Sequence, residues 1–445
     1  MSHPFEQDAG LQFSHESLIK QINHCMETLP DSRIGANTHY EMRDAALSAF
    51  STFFLQSPSF LHQQRSMEKK RGISNINTLF GAHKIPSDNQ IRNLMDTVAA
   101  SHFNPVYRRI FTDLNKANYF DAFQVLDKQL LLALDGTEYF SSTQIHCDCC
   151  STAEQKDGST RYYHNAVTPV IVSPNQSQVI PLVPEFITPQ DGNDKQDCEL
   201  NASKRWMNQE SGLFVEQNIT VLGDDLYCHE PFCKDILSKQ WNFILVCKPS
   251  SHKTTYEHID GLSTLGKVPS IEKKQWNGKE TLTHHTRYLN DVPLKDGDQA
   301  LSINWCEIIT TNEANDIIYK NSFATNHHID KENVTEIIAA GRARWKIENE
   351  NNNTLKTKGY HLEHNFGHGQ EHLSSTLATL NILSFLIHTV LEYFDERYRL
   401  IREELGARET FFDDIRALTR YICFDSWHHL LETMMEGLEI PIPPS

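Results

Sequence analysis

Hydrophobic positions recur at helical spacing along residues 42–55, where Ala45, Ala46, Leu47, Ala49, Phe50, Phe53, Phe54 and Leu55 are interleaved with polar side chains. Ser87-Asp88-Asn89 opens a second amphipathic run through Ile91, Leu94 and Val98, the pattern of a capped helix. The texture changes near Gln129. Leu130-Leu131-Leu132-Ala133-Leu134 is uninterrupted and apolar, ends at Asp135-Gly136-Thr137, and predicts a buried strand. Residues 162–172 and 178–187 predict two more strands, divided by the turn Ser173-Pro174-Asn175-Gln176. Residues 195–211 have helical character, and Ile219-Thr220-Val221-Leu222 is a short strand ending in Gly223-Asp224-Asp225. A helix over residues 231–239 and a fifth strand, Asn242-Phe243-Ile244-Leu245-Val246-Cys247, complete a strand, strand, strand, helix, strand, helix, strand order. With the first and fourth strands side by side, Asp135 and Asp224 would meet at one edge of the sheet.

The helical signal fades from Lys248 to about Ile318, where β-like pieces at 281–288 and 300–309 are separated by the turn signals Asn277-Gly278 and Asp296-Gly297-Asp298. Another strand, residues 322–326, leads into a long helix expected from about Asp330 that carries Arg344 and Glu348. Leu373, Leu377, Leu380, Leu383, Phe385, Leu386 and Leu391 mark an apolar helix that packs on the core or on a second subunit. The pattern divides the chain into a helical region (1–125), an α/β core (126–248), a β-rich insertion (249–318), the rest of the core with the Glu348 helix (319–369) and a helical C-terminal region (370–445).

The 445 residues carry a net charge of −17, which argues against a simple nucleic-acid-coating protein, whose footprint is usually basic. A local basic surface is still compatible with that charge, and bound divalent cations offset acidic groups. The local basic clusters are Lys69-Lys70-Arg71, Lys204-Arg205, Arg342/Arg344/Lys346 and Lys356/Lys358. No stretch approaches the roughly 18 uninterrupted apolar residues of a membrane span. The first residues show neither a basic nor an apolar signal region, so the expected setting is the cytoplasm. Ten cysteines there are expected as free thiols.

Three separated carboxylates, Asp135, Asp224 and Glu348, on such a framework are what a magnesium-dependent phosphoryl-transfer site needs. Asp225 is the alternative to Asp224. Arg344 lies four residues before Glu348, on the same helix face, where it would contact phosphate or orient the carboxylate. Glu185 and Glu199, in an acidic stretch that includes Asp191, are further candidates, with capping and solvation as the simpler roles. Cys147-Asp148-Cys149-Cys150 has the spacing of half a structural zinc site; Cys147, Cys150 and His164 would be ligands, with His146 or Cys149 as the fourth. His361, His364 and His368 follow the Glu348 helix and suit either DNA contact or packing.

The run Arg344-Trp345-Lys346-Ile347-Glu348, after Asp135 and Asp224 in that order, resembles the bacterial insertion-sequence DDE transposases. Within them it resembles the cut-and-paste group with a β-strand insertion before the glutamate. That group's signature is Tyr, two residues, Arg, three residues, Glu, six residues, Lys; here Gly341 stands at the Tyr position and Lys356 lies one place late. Asp224-Asp225-Leu226-Tyr227 stands where the group has Asp-Arg-Gly-Tyr. The resemblance covers roughly residues 125–370. It implies an RNase H-like mixed five-stranded sheet and a catalytic, metal-binding triad of Asp135, Asp224 and Glu348. The implied cofactor is Mg2+, with Mn2+ as substitute. It also implies DNA contacts by Arg344, Trp345, Lys356 and Tyr227, with Trp345, Trp276 or Trp305 stacking on an unpaired base. The implied reaction is cleavage at the terminal inverted repeats, a hairpin intermediate and joining to target DNA, performed by a nucleoid-associated homodimer whose N-terminal helices bind DNA ends. The alternatives are a metal-dependent nuclease without strand transfer and a non-catalytic DNA-binding relic.

Overall fold

A computed structural model describes residues 13–35, 38–188 and 197–443. Asp191 and the last two residues of the tail lie outside them. Among the described residues, six α-helices precede the first strand: α1 (His15–Glu27), α2 (Met42–Phe54), α3 (Phe60–Met67), α4 (Lys70–Phe80), α5 (Asp88–Met95) and α6 (Asn104–Lys116). Thirteen described strands and four α-helices follow. They are β1 (Gln129–Ala133), β2 (Gly136–Ser142), β3 (Ser151–Glu154), β4 (Thr160–Val167), β5 (Val170–Val172), β6 (Ile180–Pro181), β7 (Glu185–Ile187), α7 (Glu199–Glu210), β8 (Asn218–Gly223), α8 (Glu230–Ser238), β9 (Asn242–Val246), α9 (Lys253–Thr264), β10 (Ser270–Trp276), β11 (Thr281–Pro293), β12 (Ser302–Thr311), β13 (Ile317–Thr325) and α10 (Val334–Arg342). After a π-helical turn, Ile347–Asn352, come α11 (Asn353–Thr357), α12 (Leu373–Phe394), α13 (Glu396–Leu405), α14 (Arg408–Tyr421) and α15 (Trp427–Gly437).

The main sheet has the order β10-β11-β12-β13-β9-β8-β1-β5-β6. β1, β8 and β9 are parallel; β5 and β6 run antiparallel on one flank, and β13 to β10 antiparallel on the other. All five residues of β1 are buried, which is why its sequence is continuously apolar rather than alternating. The β-rich insertion is therefore not a separate sheet: β13 pairs with both β12 and β9 and carries the core sheet outward.

Four expectations are corrected. Residues 162–172 are two strands in two sheets, because the chain breaks at Thr168-Pro169: β4 joins a small sheet with β2, β3 and β7, and β5 returns to the main sheet. The 178–187 stretch divides in the same way into β6 and β7. Residues 253–264 are a helix, α9, which the pattern missed because only Thr255 and Ile259 on it are buried. The long helix from Asp330 is three pieces. α10 stops at Arg342, and the next turn tightens, with Lys346 N–H donating to Ala343 O (3.1 Å) and Ile347 N–H to Arg344 O (3.0 Å), before widening into the π turn.

α12 is long and apolar enough to cross a membrane, but 83% of that window is buried inside the fold, so it is a core helix here. It packs on α2, all but one of whose thirteen residues are buried. The first and last helical regions interlock: Asn75 Nδ2 donates to Thr419 O and Ile422 O at 2.6 Å each, and Trp427 Nε1 donates to Leu79 O at 2.8 Å.

The start of α12 is held by Asp96. Its carboxylate accepts from the backbone N–H groups of Gln370 (2.8 Å), Glu371 (3.1 Å), His372 (3.0 Å) and Leu373 (2.9 Å). Burial alone would raise this carboxyl, yet the four donors hold it below its ordinary range. Its stabilisation is thus present above the ordinary carboxylate range and lost as pH falls through the lowered value. Asp96→Ala leaves the Gln370, Glu371 and Leu373 N–H groups without this acceptor, while His372 N–H keeps the backbone carbonyl of residue 96 (3.2 Å); a loss of about 1–3 kcal/mol in denaturant unfolding is expected at pH 7 and should shrink in acid. An unchanged midpoint would remove Asp96 from this role.

Candidate active site

Asp135 and Asp224 leave neighbouring parallel strands at the same level. The β1–β8 register pairs Ala133 with Leu222, and Leu134 N–H donates to Leu222 O at 2.9 Å, so each aspartate follows two residues after a paired position. Asp135 is also the corner where the chain passes from the main sheet to the small one. β2 begins at the next residue, and Thr168 N–H, at the returning corner between β4 and β5, donates to Asp135 O at 3.0 Å. Two sheet crossings thus fix the Asp135 backbone.

Four further groups share the electrostatic field of Asp135. Burial is the main cause pushing its carboxyl up to about 7; the like charges of Glu199, Glu348 and Asp224 add to it, and Arg344 opposes it. Arg344 Nη1 contacts Glu348 Oε1 at 2.8 Å. The break after α10 therefore does not separate the pair expected on one helix face.

Glu199 is the residue the sequence left undecided. It opens α7 against Gly136, so close that any Cβ at that glycine would collide with its carboxylate. Tyr227 O–H donates to Glu199 Oε1 at 2.6 Å and lies 3.1 Å from Ser203 Oγ. Burial raises the Glu199 carboxyl, the Tyr227 hydroxyl partly offsets that, and the charge of Asp224 raises it further. An acidic residue in the first turn of a helix is common for other reasons, so no local signal could single it out. Glu185 is engaged elsewhere, 2.8 Å from Arg205 Nε.

Several expected contacts are reassigned. Tyr227 is fully buried and holds Glu199, so it cannot touch DNA from this position. Asp225 is occupied by Lys248 N–H (2.7 Å), Ser251 O–H (2.5 Å) and His252, which leaves Asp224 as the aspartate in the cluster. Trp305 has no exposed surface and is excluded as a stacking residue; Trp345 and Trp276 are exposed at 46% and 61%. Lys356 pairs with Glu363 at 2.8 Å.

The Gly341 departure from the signature has a structural cause. A Cβ on Gly341 would lie 2.8 Å from Phe323 Cδ1 and Cε1 and 2.9 Å from Ile244 Cγ2, so α10 lies on β13 and β9 only because residue 341 has no side chain. The π turn Ile347–Asn352 carries Glu348 and widens the path towards Lys356, which lies one place later than the signature asks. Its wide turn is supported by an asparagine run: Thr168 O–H and Asn351 Nδ2 both donate to Asn352 Oδ1, each at 2.9 Å.

Among the described residues, two groups place three or more metal-ligating atoms within 4.8 Å of one another: Cys147, Cys150, His164 and His368, and Cys228, Cys247 and His252. The acidic triad is not drawn that tightly. The first group contains the three residues expected from the sequence, but the fourth is His368. His146 stacks on Tyr162 (4.5 Å between rings), and Cys149 Sγ faces Glu371 O at 3.8 Å.

No protein-family model matches the chain, and no curated protein matches it in sequence. Among solved structures, the cryo-EM structure of a piggyBac transposase synaptic complex with hairpin DNA matches at 10% identity and a TM-score of 0.38, over 98% of this chain and 86% of that one. A likeness that distant assigns neither a family nor an activity to this chain.

Proposed function

We propose that this chain is a DDE transposase, a metal-dependent enzyme that cleaves DNA at the ends of an element and joins those ends to target DNA, built on an RNase H-like core. The observation that carries this reading is the placement of Asp135 and Asp224 at the ends of adjacent parallel strands, with Glu348 in the same electrostatic field. Support for such a core comes from the segment β6-β5-β1-β8-β9 of the nine-stranded sheet, a mixed run of three antiparallel strands followed by two parallel ones, with helices in the chain between them.

The donor set fits hard divalent cations: carboxylate oxygens, no sulfur, and an Asp135 carboxyl pushed up to about 7 by burial first and by the charge of Glu199 next. Asp135, Asp224 and Glu348 would hold Mg2+ or Mn2+. When bound, such ions stabilise charge on the attacking and leaving oxygens of a phosphodiester. Glu199, clamped by Tyr227 and the Gly136 backbone, keeps negative charge behind the two aspartates. Arg344 pairs with Glu348 and would take a DNA phosphate. Trp345, exposed beside it, offers a face for an unpaired base.

Asp135 has to lose its proton to ligate a cation, so binding is linked to pH. Mn2+ affinity, followed by electron paramagnetic resonance, is expected to fall roughly tenfold for each pH step of one below about pH 7. An affinity flat from pH 6 to 8 would remove Asp135 from the ion site. The reading as a whole is tested with duplexes carrying the sequences that flank the coding region. Mg2+-dependent nicking and joining of a precut 3′ end are expected, and both should be lost in Asp224→Asn and Glu348→Gln. Nicking without joining would identify a nuclease, and binding without either a relic.

A further inference from the structure

Cys147 and Cys150 lie in the loop between β2 and β3, His164 on β4, and His368 in the loop between α11 and α12. Their ligating atoms converge. Cys147 Sγ and Cys150 Sγ are 3.9 Å apart; His164 Nε2 is 3.6 Å from Cys147 Sγ and 3.4 Å from Cys150 Sγ; His368 Nε2 is 3.6 Å from Cys150 Sγ. A tetrahedral zinc with Zn–S of about 2.3 Å and Zn–N of about 2.0–2.1 Å requires S···S near 3.8 Å and S···N near 3.6 Å. The four observed separations fall within about 0.2 Å of those edges. Cys150, His164 and His368 are buried, so the site is closed. The imidazoles are oriented by aromatic neighbours, His368 packing on Phe140 at 4.3 Å and His164 stacking on Tyr139 at 5.7 Å. His368 Nδ1 has no hydrogen-bond partner, so packing and the Cys150 thiol fix this ring rather than a polar anchor.

We infer that Cys147, Cys150, His164 and His368 form a structural Cys2His2 zinc site. Four protein ligands complete a tetrahedron and leave no position for water or substrate, which assigns the ion a structural role. The bond it makes is long-range. It ties the strands that leave Asp135 to the loop that follows the Glu348 segment, a loop otherwise pinned at its far end by Asp96. Zinc here fixes how the two halves of the acidic site sit together, without being part of it. The inference stands on the sulfur and nitrogen geometry and holds whatever reaction the acidic site performs.

The test is metal analysis of the full-length chain purified under reducing conditions. One zinc per chain is expected in the wild type and in Cys149→Ser, and loss of it in His368→Ala and Cys147→Ser. In case those variants do not fold, Co2+ is added to chelator-treated wild-type protein. The expected spectrum has the intense visible bands of tetrahedral cobalt and near-ultraviolet charge transfer from two thiolates. Zinc is also expected to raise the melting temperature of the chelated chain. Two results would overturn the inference: a wild type without zinc and without the tetrahedral cobalt spectrum, or zinc retained by a folded His368→Ala.

Discussion

Asp135→Asn is expected to make the protein more stable at pH 8 while abolishing metal-dependent DNA cleavage. A carboxyl lifted from its ordinary range to about 7 is disfavoured in its charged form by the fold, chiefly by burial and then by Glu199. Protonation of Asp135 therefore favours the folded state. Stability from this group is fully present below the ordinary aspartate range and is lost as pH rises to about 7. A tenfold change in proton affinity is worth about 1.4 kcal/mol, so the ceiling is about 4 kcal/mol, reduced by solvent access and relaxation to roughly 1–3. Asparagine cannot ionise and escapes that cost. In chelator-treated protein the variant should melt a few degrees above wild type at pH 8, and the gap should close towards pH 4. Cleavage should be undetectable at any pH, because a neutral amide is a poor ligand for a hard cation. A variant that is less stable than wild type by the same amount at pH 5 and pH 8 would show that Asp135 sits in no acidic field; one that cleaves DNA would remove it from the site.

The second large effect is expected at Gly341. Restoring the tyrosine of the signature, Gly341→Tyr, should prevent folding, although it improves the match to the resembled group. Phe323 and Ile244 are buried on the sheet beneath α10 and leave no space for a first side-chain carbon. Gly341→Ala is the quantitative version. Helix propensity favours alanine by about 1 kcal/mol, whereas forcing a methyl into a packed core costs about 1–3 kcal/mol. A net loss of up to about 2 kcal/mol is expected in urea unfolding, and Phe323→Leu in the same chain should recover part of it. If alanine were stabilising, the contact would be softer than described and the missing tyrosine would need another explanation. A tyrosine at 341 is thus incompatible with this packing.

The strand that ends in Asp135, the strand that ends in Asp224 and the pairing of Arg344 with Glu348 were all legible from the chain. Each is written in neighbouring residues: an apolar run closed by an acidic turn, or a spacing of four on one helical path. The small sheet was not, since its crossing at Thr168-Pro169 lies inside one continuous β-like stretch, and strand propensity is silent about which sheet a strand joins. The π turn before Lys356 was not legible either, since Asn352 on it meets Thr168, 184 positions away. Glu199 and Tyr227 looked like an ordinary helix start and an ordinary signature tyrosine until the fold set them together beside Gly136. His368 reaches Cys150 across 218 positions. Local periodicity and end signals determine which elements form and which residues close them, because those preferences act over one or two turns of chain. Which side chains then share a site is set by packing between segments far apart in sequence, and no short-range pattern encodes that contact.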